Sequence, residues 1–416
     1  MLQAIFRRHY AAFAESYPSR YACHYGRFRL ARITKVSEAF IRCGDYRYGV
    51  ARLQCSNPEC RSEIFRPFAC QSFNLCPSCS QKRTLLFAEF LSHRLLLRLP
   101  HRVLTFTVPK MLRPYFRYRP ELFAEVSRLI YRLVRQFQAG AARRPIRSGG
   151  VIAYQSSGEF LRFHPHWHAI FLEGGFDLAG RFLHIPFGNL EKMAQAFRQR
   201  VLALFLELGL IDRDRAEGLL CWRRSGFSID GSVELYATNP AAMERLAQYM
   251  ARPPISLSKV TLEKQGANVL FHTTYNPYFR QSLKLFAVTD FIAELTQHLP
   301  PKGVHYIRRY GLYSSRTRST WKRCPHLLRL SPLSKEPPES KDHPTRAESI
   351  EYGRASSTWA RLIAKIYGVD PLICPRCGNS MRVLAVITDP SQVERILRHL
   401  IKIGRAPPGL LSAPPH

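Results

Sequence analysis

Apolar residues recur along this chain with two periods, and each period marks a set of elements. Short β-branched or aromatic runs mark strands at Val103 to Val108 and at Val151 to Gln155. Phe163-His164-Pro165-His166-Trp167-His168-Ala169-Ile170-Phe171-Leu172 reads as a further strand, closed by Gly174-Gly175. Spacings of three and four mark helices. Phe123, Val126, Ile130 and Val134 share one side of a helix from Glu121 to Gln138, ended by Gly140. Ser80 to Arg98 is amphipathic and stops at Pro100. Asn189 caps a helix running to about Leu208, with Gly209 as its stop. Asn239-Pro240 opens a helix that carries Met243, Leu246, Tyr249 and Met250 and ends before Pro253-Pro254. Residues 256–262 and 268–275 form a hairpin, and a helix runs from about Asp290 to His298.

The uneven connections and the hairpin predict an α+β fold. The strands at 151–155 and 163–172 lie side by side and antiparallel, in a sheet with helices mainly on one face. A basic, aromatic helical arm precedes a cysteine-rich unit, together spanning 1–98. The α+β unit spans 99–330. Ser331 to Ser349, rich in proline, serine and charge, lies in a linker assigned to 331–350. A C-terminal helical extension occupies 351–416, with helices near Thr358 to Tyr367 and Gln392 to Ile403 and a Pro-rich tail from Ala406.

Charge narrows the partner. Among 416 residues, Lys and Arg number 62 against 30 Asp and Glu, a net +32. Such an excess favours a polyanion and salt-dependent binding. No apolar run reaches the ~18 residues of a spanning helix, so nucleic acid is preferred over membrane. The first residues give way at once to Arg7-Arg8-His9 without an export signal, which points to the cytoplasm.

Eleven cysteines, an odd number clustered in sequence, argue for metal rather than disulfides. Cys55-x4-Cys60 and Cys76-Pro77-Ser78-Cys79 supply a tetrahedral zinc quartet, Cys55, Cys60, Cys76 and Cys79. Cys43 and Cys70 are additional thiols that can replace a ligand or help to hold a second ion. Cys374 and Cys377 make half a knuckle, which recruits a distant ligand or binds nothing. Cys23, Cys221 and Cys324 have no ligand spacing.

On the 163–172 strand, His166 and His168 share one face while Trp167 and Ala169 point away. Two imidazoles so held can take adjacent positions on a divalent ion. A lone His-x-His is more often a pair of satisfied core histidines, and the rest of the chain has to decide between the two.

The set as a whole resembles the rolling-circle insertion-sequence transposases of the His-hydrophobe-His endonuclease superfamily, in the family with an N-terminal transposase zinc-binding domain. The resemblance rests on Cys70 with Cys76-Pro77-Ser78-Cys79, Gln155, His164 to Gly175, Trp222 to Phe227, and Leu246-Ala-Gln-Tyr249. It extends more weakly to Leu295-Thr-Gln-His298, to Tyr306-Ile-Arg-Arg-Tyr310-Gly311 and to the late Cys-Pro-x-Cys. It implies a zinc-binding domain within 1–98 and a single-strand DNA endonuclease within 99–330. It implies Mg²⁺ or Mn²⁺ on His166 and His168, with Gln155 as third ligand and Glu159 as runner-up. His164 is then a supporting or DNA-contacting residue. Tyr249 is the implied nucleophile, forming a 5′-phosphotyrosine. Arg245 stands where some relatives carry a second tyrosine, so a single-tyrosine enzyme is expected, with Tyr306 and Tyr310 a weaker pair. Arg308, Arg309, Arg316 and Arg318 are expected on DNA. The implied partners are single-stranded DNA, the hairpin ends of a mobile element and the host replication machinery, at the bacterial nucleoid.

Two other functions fit the same residues: a zinc-dependent DNA-binding protein without catalysis, and a rolling-circle replication initiator.

Overall fold

A computed structural model describes residues 1–223, 225–235, 245–246, 248–263, 266–332 and 373–405. The helix start at Asn239-Pro240, most of the linker, the helix near Thr358 to Tyr367 and the tail from Ala406 lie outside the described residues. The strands are β1 (Val50–Cys55), β2 (Glu63–Pro67), β3 (His101–Thr107), β4 (Gly149–Ser157), β5 (Phe163–Leu172), β6 (Gly174–Phe176) and β7 (Phe182–His184). They continue as β8 (Ser228–Leu235), β9 (Val260–Leu262), β10 (Asn268–Asn276), β11 (Gln281–Ala287), β12 (Ile307–Gly311) and β13 (Met381–Ile387). The central sheet has the order β12-β4-β5-β3-β8, antiparallel throughout, and the fold is α+β. Among the described residues no helix is long and apolar enough to cross a membrane.

Strand alternation decides which face each residue serves. Leu104, Phe106, Ile152, Tyr154, Trp167, Ala169 and Phe171 project to one face, under the helices Leu122–Ala142 and Leu190–Glu207. Burying each large apolar side chain there contributes roughly 1.5–3 kcal/mol. Asn189 Oδ1 accepts from the backbone N–H of Glu191 and Lys192, capping the second helix as the sequence predicts. The first helix runs through Gly140 to Ala142 and ends where Arg143, not the glycine, takes a left-handed φ of 52°.

Val103, Val151, Ala153, Ile170 and Leu172 project to the other face. They meet Ala88 of the helix Pro77–Phe90, Leu91 and Leu95 of the turn that follows it, and Leu246 and Met250. Helices therefore cover both faces, the two longest on one. The histidines of β5 share parity with Ile170 and Leu172, so they open on this second face.

The N-terminal helices Leu2–Ser16 and Leu30–Ile41 pack on distant sequence. Leu2, Phe6 and Phe13 share a core with Phe271, Phe286, Phe291 and Leu295, from the sheet of β9, β10 and β11 and the helix Val288–Thr296. Asn74 Nδ2 donates to the carbonyl of His298 at 2.9 Å, and Arg29 Nη2 to that of Gln297 at 3.0 Å.

Two elements differ from expectation. The C-terminal segment is not wholly helical: β13 pairs antiparallel with β1, giving the order β13-β1-β2, before the helix Pro390–Lys402. Its sequence, Met-Arg-Val-Leu-Ala-Val-Ile, is too short and too uniformly apolar to show its period. Tyr306 and Tyr310 do not lie on a helix; Tyr310 is in β12, where four residues span two full alternations.

Candidate active site and metal centres

β5 is the middle strand, so its histidines have neighbours on both sides. His166 stands opposite Gln155 on β4 and Thr107 on β3; His168 stands opposite Ala153 and Thr105. The His166 and His168 rings are 4.8 Å apart, nearly perpendicular at 86°. His166 Nδ1–H donates to the His164 carbonyl at 2.7 Å, which leaves Nε2 as a bare lone pair. His168 Nδ1 lies 3.1 Å from Thr105 Oγ1, and its buried Nε2 has no partner. In the tautomer whose Nδ1–H donates to Thr105, His168 also presents a lone pair. A buried polar atom without a partner is costly, and a divalent ion held by His166 and His168 would remove that cost at His168 Nε2. The residues present fit such an ion.

Burial holds the pair neutral. It pushes His168 down to about 3, with His166 adding to the effect, and pushes His164 down to about 3, helped by Arg113 and His166. His166 is lowered by burial too, against the opposing hydrogen bond to the His164 carbonyl. Neutral imidazole is the form that binds metal. The His164 ring lies 5.2 Å from that of His166, and its Nε2 is likewise buried without a partner.

Tyr249 comes to this pair from another element. Arg245, Leu246, Gln248, Tyr249 and Met250 are helical, and buried Leu246 and Met250 seat that turn on the sheet. The Tyr249 ring stands 4.8 Å from the His168 ring, edge-on at 67°, and is 49% exposed. Gln155 Nε2 donates to the carbonyls of Tyr249 and Met250 at 3.0 and 2.9 Å. Those bonds commit the amide nitrogen and leave Oε1 to accept or to ligate. Arg245, one turn before Tyr249, is exposed.

Other expected residues lie elsewhere. Glu159 is exposed in the turn Glu159–Leu161, beyond β4. Tyr306 packs edge-on to Phe123 and Tyr154, and Tyr310 stacks on Tyr131, all on the sheet face opposite the histidines. Arg308 and Arg309 point to opposite faces, because they are adjacent on β12 opposite Ile152 and Val151. Arg309 and Arg318 both stack over Phe90, at 5.2 and 5.3 Å, and Arg316 is exposed.

One supporting residue, Thr105, escaped the sequence, and for His298, part of a weaker motif, no contacts were legible there. Thr105 reads only as a polar alternation on β3, and its place beside His168 follows from register. Buried His298 accepts at Nδ1 from Ser156 Oγ at 3.0 Å and donates from Nε2–H to the Leu161 carbonyl at 2.9 Å. Gln297 Nε2 donates to the same carbonyl at 3.1 Å. They brace a β4–β5 connection in which Phe160 and Leu161 take left-handed φ of 55° and 60°.

The expected cysteine quartet is divided. Cys76 and Cys79 join Cys43 and Cys70, while Cys55 and Cys60 join Cys374 and Cys377. Helix geometry explains the first group: Cys76 caps Pro77–Phe90 and Cys79 lies in its first turn. The Cys43–Cys76, Cys43–Cys79 and Cys70–Cys79 sulfurs are 3.7, 3.8 and 3.7 Å apart. Four thiolates on a tetrahedral zinc at about 2.3 Å have sulfurs about 3.8 Å apart, so the group fits a structural zinc. Hydrogen bonds from Cys43, Cys76 and Cys79 hold Cys70 far below the usual thiol range, while contacts with Cys43 and Cys70 raise Cys76 and Cys79. Four like charges so close need a cation before all can ionise. Cys23 and Cys221 are exposed, Cys324 is half-buried, and none joins either group.

Two protein families and two known chains are similar to this one. Residues 5–108 match the family described as "Transposase zinc-binding domain", and residues 149–320 the family described as "Putative transposase". The chain is 25% identical over 367 residues to the transposase for insertion sequence element IS801 of Pseudomonas savastanoi pv. phaseolicola, spanning 84% of this chain and 82% of that one. It is 25% identical over 306 residues to the "Putative transposase y4qJ" of Sinorhizobium fredii (strain NBRC 101917 / NGR234), spanning 67% of this chain and 76% of that one. No solved structure matches. The thiol cluster of Cys43, Cys70, Cys76 and Cys79 falls within the match to the transposase zinc-binding family and the histidines of β5 within the match to the putative transposase family, so over most of its length the chain is similar to insertion-sequence transposases that carry a zinc-binding region.

Proposed function

We propose that this transposase cleaves and rejoins single-stranded DNA at insertion-sequence ends through a covalent 5′-phosphotyrosine on Tyr249. The observation that carries the proposal is the 4.8 Å approach of the Tyr249 ring to His168 on the face that His166 shares. His166 and His168, with Gln155, would hold a Mg²⁺ or Mn²⁺ ion. Such an ion, when bound, neutralises a phosphodiester and polarises its non-bridging oxygen.

The Tyr249 oxygen attacks phosphorus and forms a P–O bond as the bond to the 3′ oxygen breaks. The proton lost by the phenol is balanced by the one gained at the 3′-hydroxyl. Because the phosphotyrosine keeps a high-energy ester linkage, the reverse attack by a 3′-hydroxyl rejoins DNA without ATP.

A cleft of about 720 Å³ supports a single-stranded substrate. Arg32, Lys35, Arg83 and Arg309 line it with Phe73 and Phe90, and it reaches Ala251, two residues from Tyr249. Cations for phosphates and rings for stacked bases are what a single strand requires. Hairpin ends of the element and the host replication machinery complete the expected partners.

The test incubates the protein with labelled single-stranded oligonucleotides of the element's ends and Mn²⁺. A denaturant-resistant adduct is expected at Tyr249 and is abolished in Tyr249→Phe, while DNA binding and folding persist. An adduct of undiminished yield in that variant rejects the proposal, and a protein that binds DNA but forms no adduct is a binder only.

A further inference from the structure

Cys55, Cys60, Cys374 and Cys377 lie outside the zinc site described above, and their sulfurs gather within 4.8 Å of one another. The Cys55–Cys377 and Cys60–Cys374 sulfurs are 3.4 and 3.8 Å apart. A disulfide would bring two sulfurs to about 2.05 Å, whereas a zinc tetrathiolate spaces them about 3.8 Å apart. We propose that these four cysteines hold a second structural zinc ion that clasps the C-terminal segment onto the N-terminal zinc-binding region.

Both halves of the site are built as ligand knuckles. The Asn57 backbone N–H donates to Cys55 Sγ at 3.4 Å, and Asn379 Nδ2 to Cys377 Sγ at 3.6 Å. Gly378, with φ of +73°, turns its N–H back to the Cys374 carbonyl at 2.9 Å. Strand pairing then presents one knuckle to the other: Cys55 stands opposite Met381, and the Ser56 N–H donates to the Ser380 carbonyl at 2.8 Å.

The packing explains why an ion is needed. Leu53, Cys55, Cys374 and Met381 form one small buried cluster, and Tyr46, Val50, Val393 and Leu397 another. Cores this thin do not hold an independent fragment without a staple. The joined cysteines are 322 and 314 residues apart in sequence. The ion thus makes β13 a permanent member of the β1–β2 sheet. This inference is independent of the phosphotyrosine proposal, since neither metal content nor strand protection depends on DNA chemistry.

Zinc is counted by mass spectrometry in the full chain carrying His166→Ala and His168→Ala, so that only thiolate sites contribute. Two ions per chain are expected. Cys374→Ser/Cys377→Ser and Cys55→Ser/Cys60→Ser each leave one, and all four substitutions together still leave one, because they empty a shared site. Hydrogen exchange in Met381–Ile387 rises at least tenfold in these variants, while β5 amides are unchanged. One ion in the parent, or two retained after Cys374→Ser/Cys377→Ser, overturns the inference. The parent count decides the question even where a cysteine variant fails to fold.

Discussion

Gln155 and His166 face each other directly across β4 and β5. The amide that stands beside the histidine also holds the carbonyls of Tyr249 and Met250 through its nitrogen. One side chain therefore links the histidine pair to the turn that carries the tyrosine.

Replacing Gln155 by Glu removes two donors and sets a carboxylate against two carbonyl oxygens. The lost hydrogen bonds amount to roughly 1 kcal/mol each, with repulsion added. Adduct formation is expected to fall at least tenfold while single-strand affinity stays within twofold. Unchanged adduct kinetics with Mn²⁺ in a melted-hairpin substrate would refute this link.

His166→Ala and His168→Ala each remove one of the two imidazoles. Calorimetric Mn²⁺ binding at the site should weaken at least tenfold in both variants. Thr105→Val, which deletes only the hydroxyl 3.1 Å from His168 Nδ1, should weaken it less. Mn²⁺ affinity equal to the parent in His168→Ala would remove the histidines from the ion site.

Arg308 and Arg309 are neighbours in sequence, yet only Arg309 lines the cleft with Arg32 and Arg83. Arg309→Ala should reduce single-strand affinity and flatten its salt dependence by roughly 0.7 in log–log slope for each phosphate no longer neutralised. Arg308→Ala, on the opposite face, should leave both nearly as they are. Equal losses in the two variants would argue against the cleft as the DNA path.

Stability should fall in mild acid. Burial pushes His101 and His298 down to about 4, against the opposing hydrogen bonds to the Leu99 and Leu161 carbonyls, while Tyr313 and Ser156 engage the other ring nitrogens. The unfolded chain protonates them near 6.5, so below that pH it binds more protons than the folded chain. The stabilising difference is present above about pH 6.5 and is lost as pH falls toward 4, on the order of 3 kcal/mol per group. Urea unfolding from pH 7 to 4 measures this, and His298→Asn should flatten the slope. Parallel slopes for parent and variant would contradict it.

Local pattern was enough for much of this protein. Strand parity alone put His166 and His168 on one face with Trp167 in the opposite core, because side-chain alternation is a property of the strand itself. The capped helix after Asn189, the hairpin about residue 266 and the antiparallel β4–β5 pair were legible for the same reason. Composition marked zinc and a polyanionic partner. What the sequence could not decide was every choice between distant partners. Cys-x2-Cys spacing fixes a local pair of ligands, but not which other pair completes the tetrahedron. Closing a loop of about three hundred residues costs only about 2 kcal/mol more than closing one of about twenty, less than a bound zinc contributes, so Cys374 could compete with Cys76 for Cys55. Only the folded chain settles that contest, by pairing β13 with β1. It likewise sets Tyr249 beside His168 and sends Arg308 and Arg309 to opposite faces, because those relations depend on how sheet and helices pack rather than on any spacing along the chain.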